Sequence, residues 1–138
     1  MKRIFTVFAL SLSVALISAF AQQKGELTTV QPGADPNYTW TQGIEHDFGK
    51  IVKGIPAEAT FEFTNTGKAP LVISGVRASC GCTTPDYSKE PIAPGKKGFV
   101  KAVYNAANLG VFNKSITVTS NANEKDIVLI IKGEVIEK

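Results

Sequence analysis

Ala57-Glu58-Ala59-Thr60-Phe61-Glu62-Phe63-Thr64-Asn65 alternates apolar with charged or hydroxylated side chains for its first eight residues. A period of two puts Ala57, Ala59, Phe61 and Phe63 on one face and Glu58, Thr60 and Glu62 on the other, as in a β-strand with one buried side. The run ends at Asn65-Thr66-Gly67-Lys68-Ala69-Pro70, where Asn and Gly tolerate the positive φ of a turn. The same pattern extends outward from this strand. Ile44, His46 and Phe48 share a face upstream of it. Downstream, Leu71 and Ile73 open a strand interrupted near Gly75 and resumed at Val76. Pro91-Ile92-Ala93-Pro94-Gly95 is a second turn cluster, because proline cannot donate to a central ladder. Val100, Ala102 and Tyr104 alternate next, followed by Phe112, Ile116 and Val118 after the Leu109-Gly110 break. The final strand, Asp126 to Val135, carries Ile127, Leu129 and Ile131 on one face and Val128 and Ile130 on the other. Apolar on both sides, it belongs in the middle of a sheet.

No stretch after the first 21 residues keeps a helical period over ten residues, and the β-branched content opposes helix. About seven short strands separated by Gly, Pro and Asn turns predict an all-β, two-sheet sandwich. Phe61, Phe63, Ile116, Val118, Leu129 and Ile131 are its predicted core.

The first 21 residues read differently. Lys2 and Arg3 precede an apolar stretch from Ile4 to Ile17, and Ala19-Phe20-Ala21 fits a small-x-small cleavage site, so a signal peptide cut between Ala21 and Gln22 is expected. The apolar run falls short of a bilayer span, and no cysteine lies near the cut to make a lipobox. The expected product is periplasmic or extracellular, with no stable membrane insertion after cleavage. Residues 22–39, with two prolines and two glycines but no sustained apolar period, are expected to form a flexible N-terminal segment, and residues 40–138 a single domain. The whole chain has a net charge of +3, but losing Lys2 and Arg3 brings it close to neutral. No basic block remains to track phosphates, which excludes nucleic acid as a partner class.

Six motifs occur in one order: Ile44-Glu45-His46-Asp47-Phe48-Gly49-Lys50-Ile51, Phe61-Glu62-Phe63-Thr64-Asn65-Thr66-Gly67, Pro70-Leu71-Val72-Ile73, Ser79-Cys80-Gly81-Cys82-Thr83, Pro91-Ile92-Ala93-Pro94-Gly95 and Thr119-Ser120-Asn121. In this, residues 40 to 136 resemble the bacterial domain-of-unknown-function family 1573. The resemblance implies an exported, immunoglobulin-like antiparallel β-sandwich, related in shape to sperm-protein and hydin-type modules that bind other proteins. It implies no enzymatic activity. Ala102 departs from the family pattern, which has a larger apolar residue there.

Cys80 and Cys82 are the only thiols. Three readings stand. In a regular strand their Cα atoms would lie about 6.6–6.8 Å apart, at the upper edge of what a disulfide spans, and Gly81 can bend the chain to shorten that gap. Such a pair could be an exchangeable disulfide or an inert clasp closed by an oxidising compartment. Two thiolates on one side would also suit Cu(I) or half of a zinc site. For a metal, His46 is the only histidine, and further ligands would have to be carboxylates such as Asp47 or Asp86, or come from a second chain. A nucleophilic cysteine would likewise depend on His46 as its base. Paired carboxylates, a Gly-rich phosphate loop and a His-x-x-x-His motif are absent, so no catalytic residue and no cofactor-binding residue is assigned. The expectation is a noncatalytic exported module that binds a protein or envelope component through a strand edge. Its rival is a thiol-redox or copper-handling protein centred on Cys80 and Cys82.

Overall fold

The computed structural model describes residues 36–122 and 126–138. The leader, its cut between Ala21 and Gln22, and nearly all of the expected flexible segment lie outside the described residues.

Eight strands form two four-stranded sheets: β1 (Tyr38–Trp40), β2 (Glu45–Val52), β3 (Ala57–Asn65), β4 (Ile73–Ala78), β5 (Thr83–Tyr87), β6 (Lys97–Tyr104), β7 (Gly110–Ser120) and β8 (Ile127–Ile136). One sheet has the order β1-β3-β6-β5 and the other β2-β8-β7-β4. No helix occurs among the described residues. The six residues predicted to face inward all do so, and Leu71, Val100 and Val135 join them in one apolar layer between the sheets. The long strands owe their pairing to alternation. Phe63 of β3 lies opposite Gly98 of β6, and Ile116 of β7 lies opposite Leu129 of β8. A one-residue slip would turn each apolar set to solvent. Ala102 lies opposite Ala59, both fully buried, so two small residues meet at one level of the core.

The final strand lies inside its sheet, between β2 and β7, as its two apolar faces require. One pair departs from the antiparallel expectation: β2 runs parallel to β8, from Glu45 against Ile130 to Val52 against Ile136. A bulge between Asp47 and Lys50 interrupts that register. Gly49 occupies it at φ +63°, and Gly133 on β8 leaves room for its carbonyl, which a Cβ would meet at 2.8 Å. The interruption foreseen at Gly75 is also a bulge, between Ile73 and Gly75 opposite β7.

Two strands exceed the sequence reading. β1 takes in Tyr38 and Thr39, which composition had assigned to the flexible segment; Tyr38 is buried against Trp40 and Phe63, with ring centroids 5.5 and 5.7 Å away. β5 occupies Thr83 to Tyr87, a stretch whose Thr, Pro and Asp show no apolar alternation of their own. Across the end of the sandwich, the buried Asn65 side chain ties the two turn clusters together. Its Nδ2 donates to the carbonyls of Ala69 (2.9 Å) and Ile92 (2.8 Å), and its Oδ1 accepts from the Gly67 N–H. Every polar atom of this buried amide is thereby used.

Candidate functional site

The chain crosses from one sheet to the other at Ser79-Cys80-Gly81-Cys82. β4 is the edge of its sheet and β5 the edge of the other, so these four residues form a corner on one flank of the sandwich. The corner is a turn rather than a continued strand. That brings the two Cα atoms to 5.3 Å, within the ordinary disulfide range, and Cys80 and Cys82 are bonded to each other. Backbone hydrogen bonds pin both ends of it: Ser79 N donates to Ser115 O at 2.8 Å, and Asn105 N donates to Cys82 O at 3.0 Å. Between these anchors the chain is held more loosely, Thr83 N reaching Cys80 O at 3.4 Å.

The two cysteines differ in setting. Both are half-buried, but Cys82 packs against the apolar core, whereas Cys80 lies outside it, next to the exposed Ser79 and Gly81. Thr83, 4% exposed, directs its hydroxyl at both sulfurs: Oγ1 lies 3.8 Å from Cys80 Sγ and 4.0 Å from Cys82 Sγ. These are the side-chain contacts that the Thr83 hydroxyl makes among the described residues.

Beside the corner, β4 stops short. β7 extends from Gly110 to Ser120, but its pairing with β4 ends where Ala78 meets Ile116. Ser115 turns both backbone groups to that side, its O accepting from Ser79 N and its N–H donating to Ser79 Oγ. Strand alternation then aims the N–H and C=O of Asn113 and Val111 the same way. No strand covers them there among the described residues. Val111 is 85% exposed and Leu109 49%. The outer face of the same sheet carries a groove of about 440 Å³ that runs across β2, β8 and β7, from Lys50 over Lys132 and Glu134, and reaches this edge at Val111 and Asn113.

The remaining sequence candidates lie elsewhere. His46 is on β2, at the opposite edge from β4, with β8 and β7 between them; three strand spacings separate the two strands by about 14 Å. Its ring packs on Phe48 at 4.6 Å and Phe61 at 6.5 Å between centroids. The structure therefore does not bring His46 to Cys80 and Cys82. Asp47 caps the β2 bulge, its Oδ1 accepting from Gly49 N at 2.8 Å. Asp86 is on β5, where a hydrogen bond from the Tyr87 backbone N–H holds its carboxyl below the usual carboxylate range, with Lys89 3.4 Å away adding to the effect. No group of three or more His, Cys, Asp or Glu gathers in metal-binding geometry among the described residues. Two features of the site were not singled out from the sequence. Thr83 read as an ordinary strand or turn residue, and the open edge of β7 left a trace only in Val111, an apolar residue on the polar side of its strand.

The sandwich has counterparts of known structure. A Porphyromonas gingivalis W83 protein of unknown function is 18% identical with a TM-score of 0.66, over 76% of this chain and 50% of that one. The ASH/PapD-like domain 7 of human CEP192 is 14% identical with a TM-score of 0.55, over 99% of each chain. The Vibrio cholerae VesB protease is 15% identical with a TM-score of 0.54, over 72% of this chain and 32% of the protease. At these identities the likeness is one of fold alone, and the chain spans half the length of the Porphyromonas protein. No curated protein matches the chain. No helix among the described residues is long and apolar enough to cross a membrane. The profile of the family described as protein of unknown function (DUF1573) matches residues 39–135, from within β1 to within β8, and the chain belongs to that family.

Proposed function

We propose that this protein is an exported, noncatalytic β-sandwich module that binds a partner protein or envelope component by strand addition along Gly110–Lys114 of β7. The observation that carries the reading is the backbone of Val111 and Asn113, which no strand pairs on that side among the described residues, beside exposed apolar side chains and a groove. An extended segment laid there would continue the line of β4 and take up hydrogen bonds that β4 leaves unmade, with main-chain bonds supplying affinity and Val111 and Leu109 an apolar contact. The separation of His46 from the cysteines supports the noncatalytic part, since a thiol nucleophile needs a base within hydrogen-bond reach. The leader supports export.

A photo-crosslinking residue placed at Asn113 in cells tests this. It is expected to capture one discrete partner, whereas the same probe at Thr60, on the outer face of the other sheet, captures none. Asn113→Pro, which removes the outward N–H and leaves the β8 ladder intact, should block binding of that partner. Equal capture from both positions, or capture by the probe at Val111 that is indifferent to Asn113→Pro, would refute strand addition.

A further inference from the structure

The corner also carries chemistry that strand addition does not use. Thr83 is almost fully buried, and its hydroxyl points at two sulfurs. A disulfide sulfur carries no hydrogen and is a weak acceptor, so in the oxidised protein this buried donor has no strong partner. A thiolate at the same place would give it one, because hydrogen bonds to charged acceptors are about twice as strong as neutral ones. The environment thus favours the state produced when the S–S bond is cleaved. The backbone sorts the two sulfurs. Both are half-buried and within 4.0 Å of the Thr83 hydroxyl, but Cys82 is fixed by the Asn105 N–H on its carbonyl and packed on the core, while Cys80 lies outside the core between exposed Ser79 and Gly81.

We propose that Cys80–Cys82 is a site of thiol–disulfide exchange with a partner protein that presents a dithiol. A thiolate of the partner attacks Cys80 Sγ, forming a new S–S bond to Cys80 as the Cys80–Cys82 bond breaks. The electron pair leaves on Cys82 Sγ, where the Thr83 hydroxyl donates to it. The partner's second thiol, deprotonated to solvent, then attacks its own sulfur in the mixed disulfide and releases Cys80 as a thiolate. Both departing thiolates take up protons. The partner's dithiol has become a disulfide, oxidised by two electrons, and the pair has become two thiols. Thr83 is a positioning residue in this scheme. The roles rest on different residues from the β7 edge, so either reading can fail alone.

The test uses the purified protein and small probes. Under native conditions dithiothreitol should open the pair, followed by alkylation and intact mass, and Thr83→Val should slow that opening about tenfold, since a hydrogen bond to a charged group is lost. Thr83→Ser, which keeps the hydroxyl, should restore it. In the Cys82→Ser protein, oxidised glutathione should couple to Cys80 at least ten times faster than it couples to Cys82 in the Cys80→Ser protein. The pH profile of alkylation of Cys82 in Cys80→Ser should move upward by about one unit when Thr83→Val is added, one unit corresponding to the same tenfold. A structural role alone would leave that profile in place. A pair that dithiothreitol opens only after the domain unfolds in denaturant would overturn the proposal. So would a Thr83→Val protein that folds, by an unchanged far-UV circular dichroism spectrum, and reduces at the wild-type rate. Thr83→Ser failing to restore the rate would count equally against it.

Discussion

The two flanks of the sandwich are closed by opposite means. Along β1 and β2 the gap between the sheets is filled with rings: Trp40 meets Phe63 at 5.0 Å and Phe61 at 6.5 Å, Tyr38 meets Phe63 at 5.7 Å, and His46 meets Phe48 at 4.6 Å. Along β4 and β5 there is one ring, Tyr87, half-buried against the core with the Lys89 ammonium over its face at 3.4 Å, and the chain is closed there by a covalent corner. The aromatic flank removes a large apolar area from water, which is the main source of folding free energy. The other flank has far fewer rings, and there a hydroxyl, two sulfurs and an unfinished sheet edge come together. Stability and reactivity are thereby assigned to different sides of one domain, and substitutions on the two should separate them.

The largest loss is expected on the aromatic flank. Phe63 is fully buried, and Phe63→Ala should cost about 3–5 kcal/mol in urea melts, enough to unfold a marginal domain. A loss below 1 kcal/mol would mean that the rings do not hold this side together. Gly98→Ala probes the same contact from β6. Its Cβ would meet Phe63 Cζ at 2.5 Å and Ile92 Cδ1 at 2.8 Å, so overpacking of about 1–3 kcal/mol is expected, partly relieved in the double variant with Phe63→Leu. Opening the other flank should do less. Cys80→Ser with Cys82→Ser removes a very small loop, worth about 1.5 kcal/mol by chain entropy, and the far-UV circular dichroism should be unchanged. A cost rivalling that of Phe63→Ala would erase the contrast between the flanks.

The smallest effect concerns acid. The folded Asp86 carboxyl is held below its ordinary value by the Tyr87 N–H and then by Lys89. Its contribution to stability is therefore complete above the unfolded value, about 3.9, and is lost as pH falls from there through the folded value. Melting midpoints measured between pH 2 and 6 should fall slightly less steeply in Asp86→Asn than in wild type, a slight difference because the group is exposed and solvent-screened. Identical slopes would remove Asp86 from the account of β5.

The strands that could be read directly were those whose side chains alternate over many residues. Phe61, Phe63, Ile116 and Val118 declare their faces because each sits in a run with a polar opposite side, whereas Leu129 and Ile131 sit in a strand apolar on both faces, which marks it as central. Tyr38-Thr39-Trp40 is too short to show a period, and its strand exists because tertiary packing on Phe63 supplies what local pattern does not. Thr83-Thr84-Pro85-Asp86 was hidden by a sound rule applied without knowledge of position. Hydrogen bonds between Cys82 and Asn105 and between Ser88 and Phe99 place the even-numbered residues of β5 toward β6. Pro85, which lacks an N–H, thus faces the outer edge, where proline costs no ladder bond. The disulfide could be framed in advance only as feasible, because strand spacing argued against it and only the turn at Gly81 brings the Cα atoms within reach. The hydroxyl of Thr83 had no signature at all, since its meaning lies in what surrounds it.

The parallel pairing of β2 with β8 dictates an order of events. Glu45 must wait for Ile130, and β7 also takes β8 as its neighbour, so the sheet has no centre until the last strand arrives. Closing so long a loop is slow, and parallel partners gain nothing from a hairpin on the way. While β8 is still unpaired, β2 and one side of β7 both expose unpaired backbone, the form of chain most prone to join its neighbours. The docking of β8 is therefore the step that ends this sheet's exposure to aggregation during folding.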